Sequence, residues 1–272
     1  MNNKLLTVIM SLLLLISVYI VMCVYLPGQS DKSSGGAKDV AGNAENSIMG
    51  WNLLNTDNAG SNKAANSGSN SNEPENIDFT GNVVVIDSGH GGIDPGKTSA
   101  DGILEKEINL AIAYKLKAYL EKSGMKVVMT RTDDSGLYAE SDVNKKSADM
   151  KKRCDIIKEA DADVVVSIHQ NSFQSASVKG AQVFYYKHSA KGKQLAQSIQ
   201  QAFRDYLDGS NKRVEKADST YYMLVHTSAP TVIAECGFLS NPEEAKLLMD
   251  EQYQDKVAMA IYYGIIDYFV KG

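Results

Sequence analysis

Two of the four histidines in the chain stand where buried strands are predicted to end. His90 follows the apolar stretch Val83–Asp87 and lies in the glycine-rich sequence Ser-Gly-His-Gly-Gly, and His169 closes the stretch Asp163–His169. Parallel strands of one sheet end at the same edge, so the two imidazoles are expected to converge. The glycines allow a ligand to approach the His90 ring closely. His188 and His226 have no such placement, and we assign neither to a metal.

Glu105 is the third candidate at this edge. It begins the predicted helix Glu105–Lys122 and follows His90 by 15 residues, enough for the chain to return to the same edge. Two histidines and a glutamate form a ligand set that catalytic zinc uses, with a fourth position left for water or substrate. Taken singly, each histidine is also compatible with a hydrogen-bonded structural role, and Glu105 with a favourable charge at a helix N-terminus. The joint placement of the three favours a metal site.

Glu235 lies in the apolar run Thr-Val-Ile-Ala-Glu-Cys-Gly-Phe, near the end of another predicted strand. A carboxylate buried there is costly unless a partner offsets its charge. One interpretation is a structural salt bridge. The other is a general base whose proton affinity is set by the apolar surroundings and a neighbouring metal.

Predicted strands and helices alternate from Gly81 to the end of the chain, which indicates an α/β fold. We expect a three-layer αβα domain with a largely parallel central sheet. The predicted strands are Val83–Asp87, Lys126–Thr130, Asp163–His169, Ala181–Tyr186 and Thr231–Cys236, and the predicted helices are Glu105–Lys122, Asn144–Ala160, Lys191–Leu207, Pro242–Met249 and Gln254–Val270.

The segment before this domain has a different composition. Residues 5–26 are uncharged and strongly apolar, and 22 residues in a helix span about 33 Å, enough to cross a bilayer. We expect one transmembrane anchor here, with a cleaved signal sequence as the alternative. Residues 1–4 would then be a short cytoplasmic N-terminus, 27–80 a flexible Gly/Ser/Asn-rich linker, and 81–272 the catalytic domain outside the cytoplasm. The net charge of −5 gives no reason to expect a nucleic-acid partner.

Four stretches of the domain resemble the zinc-dependent N-acetylmuramoyl-L-alanine amidases of the amidase-3 type. In chain order they are Asp-Ser-Gly-His-Gly-Gly, Gly-Ile-Leu-Glu-Lys-Glu-Ile-Asn-Leu, Val-Ser-Ile-His-Gln-Asn and Ala-Glu-Cys-Gly-Phe-Leu-Ser-Asn-Pro, and the resemblance covers about residues 82–271. Within that family the chain is most similar to the membrane-anchored spore-cortex and germination-specific amidases. The resemblance implies that the ligands of a single zinc ion are His90, Glu105 and His169, and that Glu235 is the catalytic carboxylate.

The resemblance also implies a reaction and a setting. The enzyme would hydrolyse the amide between the lactyl group of N-acetylmuramic acid and L-alanine in peptidoglycan, at the developing spore cortex. A muramic-acid deacetylase would act on the product to form muramic-δ-lactam. Apart from the resemblance, no wall-binding repeat is recognised beside the domain, so we expect the anchor and an accessory protein to localise it. Two alternatives stay open: a zinc peptidase that cuts the stem peptide, and an inactive module that binds the wall or a partner.

A few residues depart from the family pattern or have an open role. Ser88 stands where the family usually has proline, which would loosen the loop that holds His90, and Gln170 and Cys236 replace smaller or apolar residues beside the site. Arg131 is expected to pair with a carboxylate, of the structure or of the substrate. Cys154 and Cys236 are interpreted as small buried residues, with a disulfide between them left open.

Overall fold

The structure is a computed structural model, and it describes residues 78–272. This part of the chain folds into six strands and six α-helices. The strands are β1 (Val83–Ser88), β2 (Lys126–Met129), β3 (Val164–Asn171), β4 (Gln182–Tyr186), β5 (Lys216–Asp218) and β6 (Thr231–Phe238), and the helices are α1 (Glu105–Lys122), α2 (Lys145–Glu159), α3 (Ala190–Ala202), α4 (Tyr222–His226), α5 (Pro242–Leu248) and α6 (Glu251–Lys271).

The strands form one sheet in the order β2-β1-β3-β6-β4-β5. Strands β1, β2, β3 and β6 are mutually parallel, so their carboxyl ends share one edge. β4 runs antiparallel to β6, and β5 runs parallel to β4. The connection between β3 and β4 contains no helix, whereas a parallel return needs a crossover of a dozen residues or more, usually helical.

Helices cover both faces of the sheet. On one face, α1, α3 and α6 bury the larger core, in which Ile112, Leu116, Ile199 and Ile261 are fully buried. On the other face, α2 and α4 cover a smaller core around Val165. The apolar residues of α1 recur at helical spacing, which explains why one side of it is buried. The prediction of an α/β fold with a largely parallel sheet is confirmed.

Several elements differ from the sequence-based expectation. The helix expected over Lys191–Leu207 is α-helical only to Ala202 and continues as a π-helical turn, Phe203–Leu207. β5 and α4 were not predicted, because Lys-Ala-Asp has no apolar alternation and a five-residue helix is too short to show a period.

The predicted N-terminus 1–4 and membrane anchor 5–26 lie outside the described residues, as do residues 27–77 of the predicted linker. Among the residues that are described, none of the helices combines the length and the apolar character needed to cross a bilayer.

Candidate metal centre and active site

Three side chains converge at the carboxyl edge of the sheet. The Glu105 Oε1 atom lies 3.2 Å from His90 Nε2 and 3.0 Å from His169 Nδ1. One donor atom from each of the three residues lies within 4.8 Å of the other two. The two imidazoles are nearly perpendicular, with ring centroids 4.9 Å apart. The residues that the sequence analysis selected therefore form one cluster.

His90 occupies an unusual backbone conformation. Its φ angle is +63°, in the left-handed region that non-glycine residues rarely adopt. The turn is closed by main-chain hydrogen bonds between Gly91 and Asp94 in both directions. The Asp94 carboxylate lies 3.0 Å from His90 Nδ1, on the side of the ring away from Glu105. A carboxylate at the far nitrogen is a usual companion of metal-binding histidines, because it fixes the orientation of the ring.

Glu105 is the first residue of α1, and its side chain is almost fully buried. Its carboxylate accepts hydrogen bonds from the main-chain N–H groups of Lys97 and Gln170. Burial alone would raise its pKa, but hydrogen bonds and charge from His169 and His90 hold the pKa well below its ordinary value. The carboxylate is therefore ionised, the form in which it can bind a cation.

The close packing around the three donors depends on two glycines. A Cβ atom added to Gly89 would lie 2.3–2.7 Å from atoms of the His169 ring. One added to Gly96 would lie 2.6 Å from Glu105 Oε2 and 2.7 Å from the His90 ring. Two imidazoles and an ionised carboxylate at this spacing are the donor types and the number of protein ligands of a catalytic zinc ion, so the residues present fit that metal.

Glu235 lies beside the cluster on the neighbouring strand. It is paired in register with His169 across β3 and β6 and is 7% exposed. Within the described part of the chain, its Oε2 atom has no hydrogen-bond partner. Burial, opposed in part by the charge of His169, raises the pKa of Glu235 to about 7. A carboxyl group that titrates near neutrality is suited to exchanging a proton during a reaction.

A network of buried charges lies beneath the His90 turn. Asp87, at the end of β1, accepts hydrogen bonds from Thr130, Ser167 and Arg153. Burial opposes its ionisation, but the charge of Arg153 and these bonds lower the pKa of Asp87 to about 2.

Arg131 was expected to pair with a carboxylate; its guanidinium instead donates to four main-chain carbonyls. The expected pairing with a carboxylate of the structure was therefore wrong for the described residues, because backbone carbonyls of the turn after β1 and of two neighbouring segments occupy the guanidinium instead.

The cluster opens into a cleft with a volume of about 820 Å³. Tyr221 and Met223, from the segment before and within α4, line it together with residues of the His90 loop, and the lining residues Ile93 and Tyr222 are exposed. The sequence analysis missed Asp94, Arg153 and Tyr221. Asp94 lies four residues after His90 in the same glycine-rich loop, a spacing that could have drawn attention, whereas nothing in the sequence around Arg153 marks it as buried.

The three departures from the family pattern have different surroundings. Ser88 is fully buried, and its carbonyl accepts hydrogen bonds from both Arg131 and Arg153, so the turn is held without a proline. The Gln170 side chain donates to Asn109 Oδ1, beside Glu105. Cys236 is fully buried, and like Cys154 it is a free thiol.

The fold and the cluster define a class of protein: an α/β domain with a site compatible with a metal ion at the carboxyl ends of its parallel strands. The family model described as N-acetylmuramoyl-L-alanine amidase, Amidase_3, matches residues 84–267, and the chain belongs to this family. The family and the relatives below make the protein an N-acetylmuramoyl-L-alanine amidase, close to the germination and spore-cortex amidases, as the sequence analysis predicted.

Similar proteins are known by sequence and by structure. The chain is 36% identical over 202 residues to the germination-specific N-acetylmuramoyl-L-alanine amidase of Bacillus subtilis, an alignment that covers 73% of this chain and 84% of the relative. The structure of the CwlD amidase from Clostridioides difficile in complex with the GerS lipoprotein is 43% identical, with a TM-score of 0.69, over 70% of this chain and all of that one. An N-acetylmuramoyl-L-alanine amidase from Clostridium difficile 630 is 33% identical, with a TM-score of 0.62, over 70% of this chain and 98% of that one.

Proposed function

We propose that the chain is a zinc-dependent amidase in which His90, Glu105 and His169 hold the metal and Glu235 is the catalytic carboxylate. The observation that carries the proposal is the position of Glu105 Oε1, within 3.2 Å of a nitrogen of each imidazole, with the buried Glu235 on the adjoining strand. When bound, zinc supplies Lewis acidity, which polarises a carbonyl group and acidifies water.

The residues of the chain supply the remaining chemistry. Glu235 takes the proton of the attacking water and returns it to the amine of L-alanine as the amide bond breaks. Its unpartnered Oε2 atom and its pKa of about 7 suit it to both transfers. The cleft lined by the His90 loop and Tyr221 is the space in which the lactyl amide of N-acetylmuramic acid would bind.

We extend the proposal to the biological setting. Similarity to a germination-specific amidase and to CwlD supports action on spore-cortex peptidoglycan, upstream of a deacetylase that forms muramic-δ-lactam. Because the CwlD structure is a complex with a lipoprotein, we include an accessory lipoprotein among the partners. The uncharged stretch 5–26 would anchor the chain, and 27–80 would tether the amidase domain outside the cytoplasmic membrane.

The decisive experiment measures zinc content and product chemistry on the full-length chain in mild detergent. We expect one zinc per chain, loss of activity with a chelator and recovery with added zinc. The products should be intact muramic acid and peptides with a new N-terminal alanine. Cleavage inside the stem peptide would instead show a peptidase, and a folded protein without zinc or turnover would show a binding module.

Matched variants test the ligand assignment. His169→Ala should abolish zinc binding, whereas His188→Ala should not, because His188 packs on Tyr186 outside the site.

The spore role is tested separately: a deletion strain whose spores keep normal muramic-δ-lactam would contradict it. Co-isolation of the chain with a lipoprotein from sporulating cells tests the accessory partner, and recovery of the chain without one would remove that part of the proposal.

A further inference from the structure

Three consecutive carbonyl groups of the His90 turn point into the protein and are held by two buried guanidinium groups. The Ser88 carbonyl accepts from Arg131 Nε at 2.9 Å and from Arg153 Nη1 at 2.7 Å. The Gly89 carbonyl accepts from Arg131 Nη2 at 3.1 Å, and the His90 carbonyl from Arg153 Nη2 at 2.6 Å. Arg131 and Arg153 are 4% and 1% exposed, so water does not compete for these bonds.

Arg131 also joins two segments that carry candidate metal ligands. Its Nη2 atom, which donates to the Gly89 carbonyl, also donates to the Lys106 carbonyl at 2.8 Å. Gly89 precedes His90, and Lys106 follows Glu105, so one nitrogen links the backbone beside one ligand to the backbone beside the other. Arg131 therefore ties the backbone beside His90 to the backbone beside Glu105 without contacting either side chain through these bonds.

Arg153, which belongs to α2, binds the same turn. Its guanidinium is fixed by Asp87 at 2.7 Å and by Asp149 at 2.5 Å, and from that position it reaches the carbonyls of Ser88 and His90. The His90 backbone is in the left-handed region, which costs on the order of 1 kcal/mol and is kept only where the surroundings enforce it. The bond to the His90 carbonyl lies at the strained residue itself.

We infer that Arg131 and Arg153 are positioning residues that hold the His90 turn and the start of α1 in the geometry needed to bind the metal. The inference rests on the proposed function, because it assigns the two arginines a role toward the proposed zinc ligands. Only arginine has the planar fork of five N–H donors that such bridging requires, whereas lysine has one nitrogen. Lysine at either position keeps the charge and loses the bridge.

The test compares lysine variants of the full-length chain in mild detergent. Arg131→Lys and Arg153→Lys are examined beside Arg204→Lys, whose guanidinium also donates to a main-chain carbonyl, that of Arg213, but outside the site. Zinc affinity is measured by competition with a chromophoric chelator, and the stability of the metal-free protein by urea unfolding. The absorption spectrum of the cobalt-substituted protein reports the ligand geometry.

We expect Arg131→Lys and Arg153→Lys to weaken zinc binding by about 10- to 100-fold, as partners beyond the ligands commonly do, and to alter the cobalt spectrum. Arg204→Lys should change neither. A role in stability alone would lower the urea midpoint with zinc affinity and cobalt spectrum unchanged, and that result would overturn the inference. If one of the two lysine variants does not fold without metal, the zinc affinity and the cobalt spectrum of the other variant test the inference. Wild-type protein that binds no zinc would overturn the proposed function as well, whereas equal binding by wild type and variants overturns this inference alone.

Discussion

His169 and Glu235 occupy paired positions on the neighbouring parallel strands β3 and β6. The pairing places the His169 imidazole, a candidate metal ligand, next to a buried carboxyl group on two hydrogen-bonded strands at the centre of the sheet. Because both strands are held by the sheet, the spacing of the two groups is fixed before any substrate binds. This relationship is the basis of the first two predictions.

Glu235→Gln should lower turnover by about 100- to 10,000-fold, the usual contribution of a general base, and leave zinc content unchanged. The glutamine keeps the size of the side chain but cannot take a proton. Peptide release from peptidoglycan and metal analysis on the same preparation check this prediction. Glu244→Gln is the matched control, because Glu244 is also a buried carboxyl group but binds main-chain N–H groups away from the cluster. A Glu235→Gln enzyme with normal turnover would contradict the assignment.

The raised pKa of Glu235 predicts a pH-dependent stability of the metal-free protein. The group titrates near 4.5 in the unfolded chain and near 7 in the fold, so folding favours its protonated form. Its stabilising effect is complete below about pH 4.5 and is lost as the pH rises to about 7, by roughly 3 kcal/mol. The difference in unfolding free energy between wild type and Glu235→Gln, with chelator present, should fall across this range. A difference independent of pH would show that Glu235 is not perturbed.

Gly89→Ala should disturb the site through a steric contact with His169. The new Cβ would lie 2.3 Å from the nearest atom of the imidazole, so the ring or the turn must move. We expect a loss of about 1–3 kcal/mol in stability and weaker zinc binding, measured by unfolding and by chelator competition. Gly209→Ala is the control, since its nearest neighbour, the Arg204 carbonyl, would be at 3.8 Å. Unchanged zinc affinity in Gly89→Ala would show that His169 is not a ligand or is free to shift.

Asp94→Ala should weaken zinc binding by about 10- to 100-fold without removing a ligand. The carboxylate lies 3.0 Å from His90 Nδ1 and orients the ring. Its second ion pair, with Lys146, is at the surface and contributes little to stability. Chelator competition measures the change, and Asp101→Ala, at an exposed position of the same loop, serves as the control. If Asp94→Ala and Asp101→Ala bind zinc with equal affinity, Asp94 does not orient the His90 ring for metal binding.

The sequence alone determined the fold class and selected the four residues at the site. Strand-like runs alternating with amphipathic helices specify a parallel α/β sheet, because each apolar face must be buried against another element. His90, His169 and Glu235 follow or end such runs, and the carboxyl ends of parallel strands share one edge whatever their order. Local pattern was sufficient for these conclusions because they depend only on periodicity and on strand polarity.

Only the tertiary structure decided how the site is supported. The strand order brought β3 beside β6, and with it His169 beside Glu235, although these residues are far apart in the chain. The turn after β1 supplies two of the four carbonyl partners of Arg131 and both carbonyl partners of Arg153, and a helix rich in lysine gives no sign of a buried guanidinium. Such contacts are made by groups distant in sequence, and their energies depend on desolvation, which a linear pattern does not encode.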